Sequence, residues 1–409
     1  MGKKMSDPAE RKVPVLRFKG FTDAWEQREL GDYLKTSKAK NLDGTFDKDD
    51  VYSVSGEYGV VNQIKFQGRS FAGTSVLPYK IVRTGEVVYT KSPLKANPYG
   101  IVKSNFCADG IVSTLYAVYS PNGDTCVNFI QRHFESDDRL NRYLKPLVNK
   151  GAKNDMKISD ENVLRGDVIF PLGSEQAKIG NFFRTFDDTI TLHQRKLDGL
   201  KELKKGYLQQ MFPQAGEHVP RLRFAGFEGD WEQQKLESLF CERSSKGGEG
   251  ELISVTINSG VVRTSTLQRK DNSSSDKSGY KKVEIGDIAY NTMRMWQGAS
   301  GRSSYSGILS PAYTVVTPKH EMCSVFFSYM FKLTNMLQLF QRNSQGLTSD
   351  TWNLKFPLFG SISVMIPCPE EQSTIGNFFC AFDGQIAAQS KKIDQLKQLK
   401  RAYLQKMFI

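Results

Sequence analysis

Glu175–Phe212 reads EQAKIGNFFRTFDDTITLHQRKLDGLKELKKGYLQQMF, and the same stretch returns with small changes as Glu371–Phe408. Aligned without a gap, the two 38-residue segments are identical at 21 positions. A likeness of this extent indicates an internal repeat. The repeat predicts two equivalent structural elements within one chain.

Both copies have the pattern of a long amphipathic helix. Their apolar residues step by three or four positions, which is the spacing of one helix face, and later in each copy the step approaches a heptad. A helix of this length would be roughly 55 Å long. It needs a partner along that length, and the other copy is the obvious candidate. The residues that we expect to pair the helices or to bind a partner are Ile179, Phe182, Phe183, Phe186, Ile190, Leu197, Leu200, Ile375, Phe378, Phe379, Phe382, Ile386, Ile393 and Leu396.

A second, shorter repeat precedes each globular region. VPVLRFKGFTDAWEQREL over Val13–Leu30 returns as VPRLRFAGFEGDWEQQKL over Val219–Leu236, with 11 of 18 positions identical. Proline ends any preceding helix, glycine permits a turn, and tryptophan carries a large surface that needs burial. We interpret this repeat, called here the leading segment, as a structural element that opens a domain.

The regions between leading segment and long helix are each about one domain in size. Short β-branched or aromatic runs bounded by Gly, Asn, Ser or Pro predict strands, and longer patterns over Val127–Asn149 and Cys323–Arg342 look helical. The sequence therefore predicts an α+β protein. Its two similar globular domains would be separated by two long α-helices that form an antiparallel coiled coil with a pseudo-twofold internal repeat.

The predicted parts follow one another in a repeated order. They are an N-terminal arm with leading segment (1–30), a first globular domain (31–172), a central long helix (173–212), a linker with the second leading segment (213–236), a second globular domain (237–368) and a C-terminal long helix (369–409).

Composition narrows the classes of function. The chain has 56 Lys+Arg against 44 Asp+Glu, a formal net charge of +12, which favours a polyanionic partner such as nucleic acid. The six cysteines form no CxxC pair and do not cluster with the four histidines, as expected for reduced thiols and no zinc site. The polar N-terminus and the lack of an apolar run near 18 residues predict a cytoplasmic protein without a membrane partner.

Motifs of a self-contained enzyme are missing from the sequence. It has no GxxxxGK[ST], HExxH or GxSxG motif and no glycine-rich cofactor turn. Asn97-Pro98-Tyr99-Gly100 partly matches the Asn-Pro-Pro-aromatic signature of adenine methylases, but it lacks the second proline. We therefore expect no catalytic residue, no cofactor and no metal on this chain.

The two globular regions differ most in loops rich in cationic, amide and aromatic side chains. Arg, Lys, Asn and Gln can hydrogen-bond to base edges or phosphates, so these loops are the candidate DNA-binding regions. Any single residue could instead be a solvated loop residue, so the clusters, and not their single members, indicate the interface. The candidates are Arg69, Lys91, Lys95, Asn97, Tyr99, Lys103, Lys150, Lys153 and Asn154 in the first region and Arg294, Trp296, Gln297, Arg302, Ser303, Gln345, Thr348 and Trp352 in the second.

The duplicated motifs P-x-L-R-F-x-G-F-x-x-x-W-E, at Pro14 and Pro220, and EQ-x-x-I-G-x-F-F-x-x-F-D, at Glu175 and Glu371, carry a resemblance. With the duplicated plan, the chain resembles the specificity subunit of type I restriction-modification enzymes over nearly its whole length. The resemblance implies that each globular region is a target recognition domain that reads one half of a bipartite, asymmetric double-stranded DNA target. The coiled coil would set the gap between the halves and receive two methylase subunits, and restriction subunits that translocate DNA would join them.

The same resemblance implies a non-catalytic subunit. S-adenosylmethionine, ATP and Mg²⁺ would belong to the partner subunits. The family has no shared motif of base-contacting residues, so the candidate DNA contacts rest on the loop argument alone.

Two other classes of function remain open. A self-contained DNA methyltransferase or nuclease would be revealed by cofactor-dependent methyl transfer by the purified chain. A coiled-coil scaffold that does not bind DNA would show no affinity for duplex even with partners present, or an affinity independent of salt.

Overall fold

The computed structural model of the chain describes residues 13–150, 156–268, 273–319 and 321–409. The chain divides into two compact units. The first contains the chain up to His193 together with Lys392–Ile409, and the second contains Gln194–Lys391. Each long helix therefore contributes residues to both units.

The first unit is built from short strands and helices that end at turns. The strands are β1 (Glu26–Glu29), β2 (Leu34–Thr36), β3 (Val51–Ser55), β4 (Gly59–Asn62), β5 (Lys80–Val82), β6 (Val87–Thr90), β7 (Val102–Ser104), β8 (Gly110–Val112), β9 (Tyr116–Pro121), β10 (Asn149–Lys150), β11 (Met156–Lys157) and β12 (Asp167–Phe170). The helices are α1 (Gln63–Gln67), α2 (Val127–His133), α3 (Asp137–Leu144), α4 (Asp160–Val163) and α5 (Gly173–Gln210). One sheet has the order β2-β9-β6-β7, a second has the order β4-β3-β8-β5, and β1 pairs with β12.

The second unit repeats this architecture. Its strands are β13 (Glu232–Lys235), β14 (Phe240–Glu242), β15 (Ile253–Thr256), β16 (Gly260–Arg263), β17 (Lys281–Val283), β18 (Ile288–Asn291), β19 (Ser300–Arg302), β20 (Gly307–Leu309), β21 (Tyr313–Pro318) and β22 (Ser363–Ile366). Its helices are α6 (Leu236–Leu239), α7 (Ser324–Met330), α8 (Thr334–Asn343), α9 (Phe356–Gly360) and α10 (Pro369–Lys406). The sheet order β14-β21-β18-β19 and the β13–β22 pair match the first unit strand for strand, whereas β15-β16 and β17-β20 are two separate sheets where the first unit has the single sheet β4-β3-β8-β5. The predicted α+β fold with an internal repeat is confirmed.

The two shorter patterns form helices, but each is divided in two, and the first ends at Leu144, since Asn149 belongs to β10. In the first unit, α2 ends at His133 and α3 begins after Ser136, whose hydroxyl accepts a hydrogen bond from the Arg139 N–H. A serine that caps a helix start favours a new helix over continuation of the old one. Apolar periodicity alone does not show such a break.

The long helices α5 and α10 are each 38 residues. In each unit the early turns of one pack against the late turns of the other, which is an antiparallel arrangement. Phe182 meets Tyr403 with ring centroids 5.2 Å apart in the first unit, and Phe378 meets Tyr207 at 5.2 Å in the second. The antiparallel coiled coil predicted from the repeat is confirmed.

The residues expected to pair the helices lie on their covered faces. Ile179, Phe183, Leu197, Ile375, Phe379 and Ile393 are buried, and Phe182, Phe186, Ile190, Leu200, Phe378, Phe382, Ile386 and Leu396 are half-buried. The pattern also includes Leu203 and Leu399, but these two side chains are exposed. Tyr207 and Tyr403, four positions later, are covered again, so the covered stripe is interrupted at the two leucines.

Each leading segment places its tryptophan in a core. Trp25 packs edge-on against Phe129 and Phe408, and Trp231 packs in the same way against Phe326 and Phe212. Phe408 follows α10 and Phe212 follows α5, so the end of a long helix completes each core. The leading segment is a packing element, as its composition suggested.

Candidate nucleic-acid interface

An ion pair joins each leading segment to the start of a long helix. The Arg17 guanidinium donates two hydrogen bonds of 2.7 Å to Glu175, and Arg223 donates two of 2.8 Å to Glu371. Both carboxylates are buried. Their hydrogen bonds and negative charge raise the pKa of each arginine. Sequence reasoning missed these pairs, although Arg and Glu recur together in the two repeated motifs.

The glutamine that follows each glutamate ties the long helix to the globular part of its unit. The Gln176 side chain accepts the Cys126 N–H at 3.2 Å and donates to the Pro171 carbonyl at 2.9 Å. Gln372 repeats both contacts with Cys323 and Pro367. Cys126 and Cys323 directly precede α2 and α7. The EQ motif therefore fixes the start of each long helix to the globular part of its unit, and it does so in the same way in both units.

In the second unit the structure brings the two diverged loops together. The rings of Trp296 and Trp352 meet edge to face with centroids 5.2 Å apart, and Arg294 lies 3.8 Å from Asp350. The later loop is a hairpin, closed by N–H to carbonyl bonds of 3.0 and 2.8 Å between Gln345 and Asn353. We call residues 345–353 the recognition hairpin. Arg294 and Trp296 of the earlier loop thus share one surface with Gln345 and Trp352, which follow about fifty positions later in the sequence.

The candidates of the second unit differ in exposure. Gln345 and Thr348 are exposed, whereas Arg294, Trp296, Gln297, Arg302 and Trp352 are half-buried. Arg302 donates to the Ser324 hydroxyl at 3.0 Å. Ser303 is fully buried and donates its hydroxyl to the Tyr305 carbonyl at 2.6 Å. The exposed surface therefore centres on the recognition hairpin and on residues 292–299 between β18 and β19, called here the Trp296 loop.

Lys332 holds the Trp296 loop through hydrogen bonds to backbone carbonyls. Sequence reasoning missed this role. Its ammonium donates to the carbonyls of Gly298 and Ile257. Burial lowers the pKa of Lys332 to about 8. Glu135 is the corresponding residue of the first unit, so nothing in the repeat marks this lysine as a clamp.

In the first unit several candidates already have partners within the protein. The Lys91 ammonium lies 2.5 Å from Asp160, and the Asn97 amide donates to Asp137 at 2.8 Å. Burial lowers the pKa of Lys103. Tyr99 is half-buried, and its carbonyl accepts the Tyr89 hydroxyl at 2.7 Å. These contacts hold the loop after β6 against the rest of the unit.

Other candidates of the first unit lie at the surface or outside the described residues. Lys95 is exposed, and Arg69 is exposed with its guanidinium 4.7 Å from the centre of the Phe71 ring. Lys153 and Asn154 lie outside the described residues, as does the side chain of Lys150. The backbones of Asn149 and Lys150 pair with Lys157 and Met156. This pairing corresponds to the closure of the recognition hairpin in the second unit.

The fold of this chain matches that of solved protein structures. Neither a protein-family model nor a curated protein sequence matches the chain. The crystal structure of the S subunit of a type I restriction-modification system from M. genitalium does, with a TM-score of 0.57 and 13% sequence identity. That match covers 97% of this chain and 99% of the other. This chain has the fold of a type I S subunit.

Two further structures align less closely with this S-subunit fold. One, described as the structural basis of complex assembly and conformational transition of the type I restriction-modification system, has a TM-score of 0.49, 14% identity and coverage of 94% and 97%. The HsdS subunit from Thermoanaerobacter tengcongensis has a TM-score of 0.44, 14% identity and coverage of 94% and 96%.

Within the part of this S-subunit fold that the structure describes, no group of His, Cys, Asp and Glu side chains is arranged to hold a metal ion. None of its described helices is long and apolar enough to cross a membrane. Both units repeat the Arg–Glu ion pair and the EQ contacts, but their candidate DNA-binding loops differ.

Proposed function

We propose that this chain is the non-catalytic DNA-recognition subunit of a type I restriction-modification system. It recognises a bipartite, asymmetric double-stranded DNA target, one half with each unit. It positions two methylase subunits and the restriction subunits for adenine methylation or ATP-dependent cleavage. One observation carries the proposal: the two units share the Arg–Glu ion pair, the EQ contacts and the order of the main sheet, yet their exposed loops differ.

The chemistry of the loops supports DNA as the ligand. The net charge of +12 favours a polyanion, and the surface around the recognition hairpin offers amide, hydroxyl, indole and guanidinium groups. Because the loops differ between units, the two half-sites differ in sequence. Two linked modules bind more tightly than either alone when their spacing fits that of the half-sites, and major-groove faces recur about every 34 Å.

The coiled coil supports the assignment of partners. Exposed leucines on the long helices, Leu192, Leu203 and Leu399, provide apolar surface for methylase subunits. In this proposal S-adenosylmethionine, ATP and Mg²⁺ are bound by the methylase and restriction subunits. The complete assembly works in the cytoplasm on chromosomal and incoming DNA.

The decisive experiment is to read DNA methylation base by base in cells that express this chain with its methylase partners. We expect one asymmetric, bipartite motif, methylated only when the chain is present. The matched control lacks the chain but retains the methylase subunits.

Three results would contradict the proposal. Methylation that does not depend on the chain would remove its role in recognition. Methyl transfer by the purified chain alone would make it an enzyme. Failure of the assembled complex to bind duplex at low salt would leave a protein scaffold.

A further inference from the structure

The tip of the recognition hairpin carries an exposed apolar side chain. Leu347 is 101% exposed, as in an extended chain. Its neighbours Gln345, Thr348, Ser349 and Asp350 are also exposed, and all four are polar. Leu347 is thus the one aliphatic side chain of residues 345–353, and the residues beside it at the tip are polar.

The hairpin that carries Leu347 is built firmly. Besides the closure between Gln345 and Asn353, the Thr351 and Trp352 N–H groups donate to the Thr348 carbonyl at 2.9 and 3.1 Å. A Cβ at Gly346 would lie 2.6 Å from backbone atoms of Thr351, so the chain crosses itself closely there. Trp352 anchors the hairpin on Trp296. Backbone hydrogen bonds within the hairpin therefore keep the tip, with Leu347, in a fixed and exposed position.

We infer that Leu347 inserts between base pairs in the half-site read by the second unit and acts there as an apolar wedge. The inference rests on the proposed function and adds to it a residue that deforms the DNA. Aliphatic side chains inserted at a base step partly unstack it and kink the duplex, and burial of the side chain offsets part of that cost. The energy of such a deformation depends on the base step, so the wedge contributes to sequence preference.

The surroundings of Leu347 favour DNA over a protein partner. Docking surfaces for proteins are contiguous apolar patches of several hundred Å², whereas the exposed residues next to Leu347 along the hairpin, Thr348, Ser349 and Asp350, are polar. The Gln345 amide and the Thr348 hydroxyl can hydrogen-bond to base edges beside the wedge. Asp350 is the acidic group of the hairpin, and Arg294 lies beside it at 3.8 Å.

The first unit has no leucine at the position that corresponds to Leu347. When the loops are aligned by their closing pairs, Asn149–Lys157 and Gln345–Asn353, Gly151 corresponds to Leu347 and Ala152 to Thr348. Neither glycine nor alanine has a side chain long enough to separate a base step as an isobutyl group can. We expect wedge-induced unstacking only in the half-site read by the second unit.

The test uses the complex of this chain with its methylase subunits on a duplex that contains the methylated motif. 2-Aminopurine, an adenine analogue whose fluorescence rises when it is unstacked, replaces in turn each adenine on either strand of both half-sites, except the methylated adenine. Leu347→Ala is compared with wild type, with Leu347→Met as the conservative variant. Leu42→Ala is the matched control, because Leu42 is also an exposed leucine but belongs to the first unit.

We expect a fluorescence increase at one step of the second unit's half-site in wild type, Leu347→Met and Leu42→Ala, and none there in Leu347→Ala. Affinity of Leu347→Ala should fall by about 10- to 100-fold, the effect of exposing one leucine side chain. The slope of affinity against salt should not change, because no charge is removed.

Unchanged fluorescence and affinity in Leu347→Ala would overturn the wedge while leaving the proposed function intact. Weaker binding of methylase subunits by Leu347→Ala in the absence of DNA would also overturn it, since the leucine would then belong to a protein interface. If the wild-type complex did not bind the duplex, the proposed function itself would fail, and the wedge with it.

Discussion

At the scale of single residues, the buried ion pairs stabilise the frame. Both oxygens of Glu175 accept bonds from Arg17, and the side chains are only 1% and 15% exposed. Without the guanidinium, the carboxylate would be a buried charge with no compensating partner. We predict that Arg17→Ala lowers the free energy of unfolding by about 3 kcal/mol, measured by urea denaturation.

Two variants control for this effect. Arg28→Ala removes half of an ion pair whose side chains are 52% and 54% exposed, and it should leave stability unchanged. Arg17→Met combined with Glu175→Leu removes both charges and should recover most of the loss. Equal losses for Arg17→Ala and Arg28→Ala would show that burial of the pair is not what matters.

His133 gives the first unit a predictable response to acid. Its ring is buried against Phe134, Phe170 and Phe408, and burial, with the nearby charge of Arg139, lowers its pKa to about 3. The unfolded chain, with the ordinary pKa of 6.5, therefore takes up the proton first as the pH falls. The contribution of neutral His133 is complete above pH 6.5 and is lost progressively toward pH 3.

The corresponding residue of the second unit is Met330, so His133→Met is the natural comparison. Between pH 7.5 and pH 5, wild type should lose about 2 kcal/mol more than His133→Met. Urea unfolding at the two pH values, followed by a probe in the first unit, measures the difference. Identical losses in the two proteins would mean that His133 is protonated in the folded state.

At the scale of elements, a glycine lets each long helix approach its domain. A Cβ at Gly180 would lie 2.8 Å from the Cys126 sulfur and 2.9 Å from the Asn128 Cβ. Gly199 lies on the same helix with nothing within 4 Å of its Cβ position. An alanine at Gly180 changes both packing and helix propensity, whereas an alanine at Gly199 changes helix propensity alone.

We predict that Gly180→Ala destabilises the protein by about 1–2 kcal/mol, because overpacking outweighs the gain in helix propensity. Gly199→Ala should stabilise it by up to about 1 kcal/mol. Thermal or urea unfolding of both variants checks the signs. Stabilisation by Gly180→Ala would show that the helix and α2 can move apart without cost.

The long helices could be predicted from the sequence because repeated periodicity over 38 residues leaves little alternative. Shorter elements depend on local chemistry that periodicity does not report. The Ser136 cap that divides α2 from α3 is one case. Another is the exposure of Leu203 and Leu399, which follow the apolar pattern but find no cover within the described chain.

At the scale of the whole molecule, the C-terminal residues belong to the first unit. Leu404, Met407 and Phe408 are buried in the core that contains Trp25. We predict that truncation after Lys391 opens the first unit, because its core loses these side chains. Hydrogen exchange should become fast in β6 and β9 while β18 and β21 remain protected; equal protection in both units would contradict the assignment.

The candidate site was harder to predict than the fold. Loop composition led to Trp296, Trp352 and Arg294, which the structure brings together. It could not show that Ser303 is buried or that Asn97 binds Asp137, because those roles depend on contacts distant in sequence. Leu347 was missed because an aliphatic residue in a sequence is ordinarily assigned to the core.

The measurement that tests the central claim most directly is a domain exchange. Residues 31–172 are replaced by the corresponding region of another type I S subunit, and the methylated motif is read from genomic DNA. If each unit reads its own half-site on a shared frame, one half of the motif changes while the other half keeps its sequence. A change in both halves, or in neither, would contradict the account.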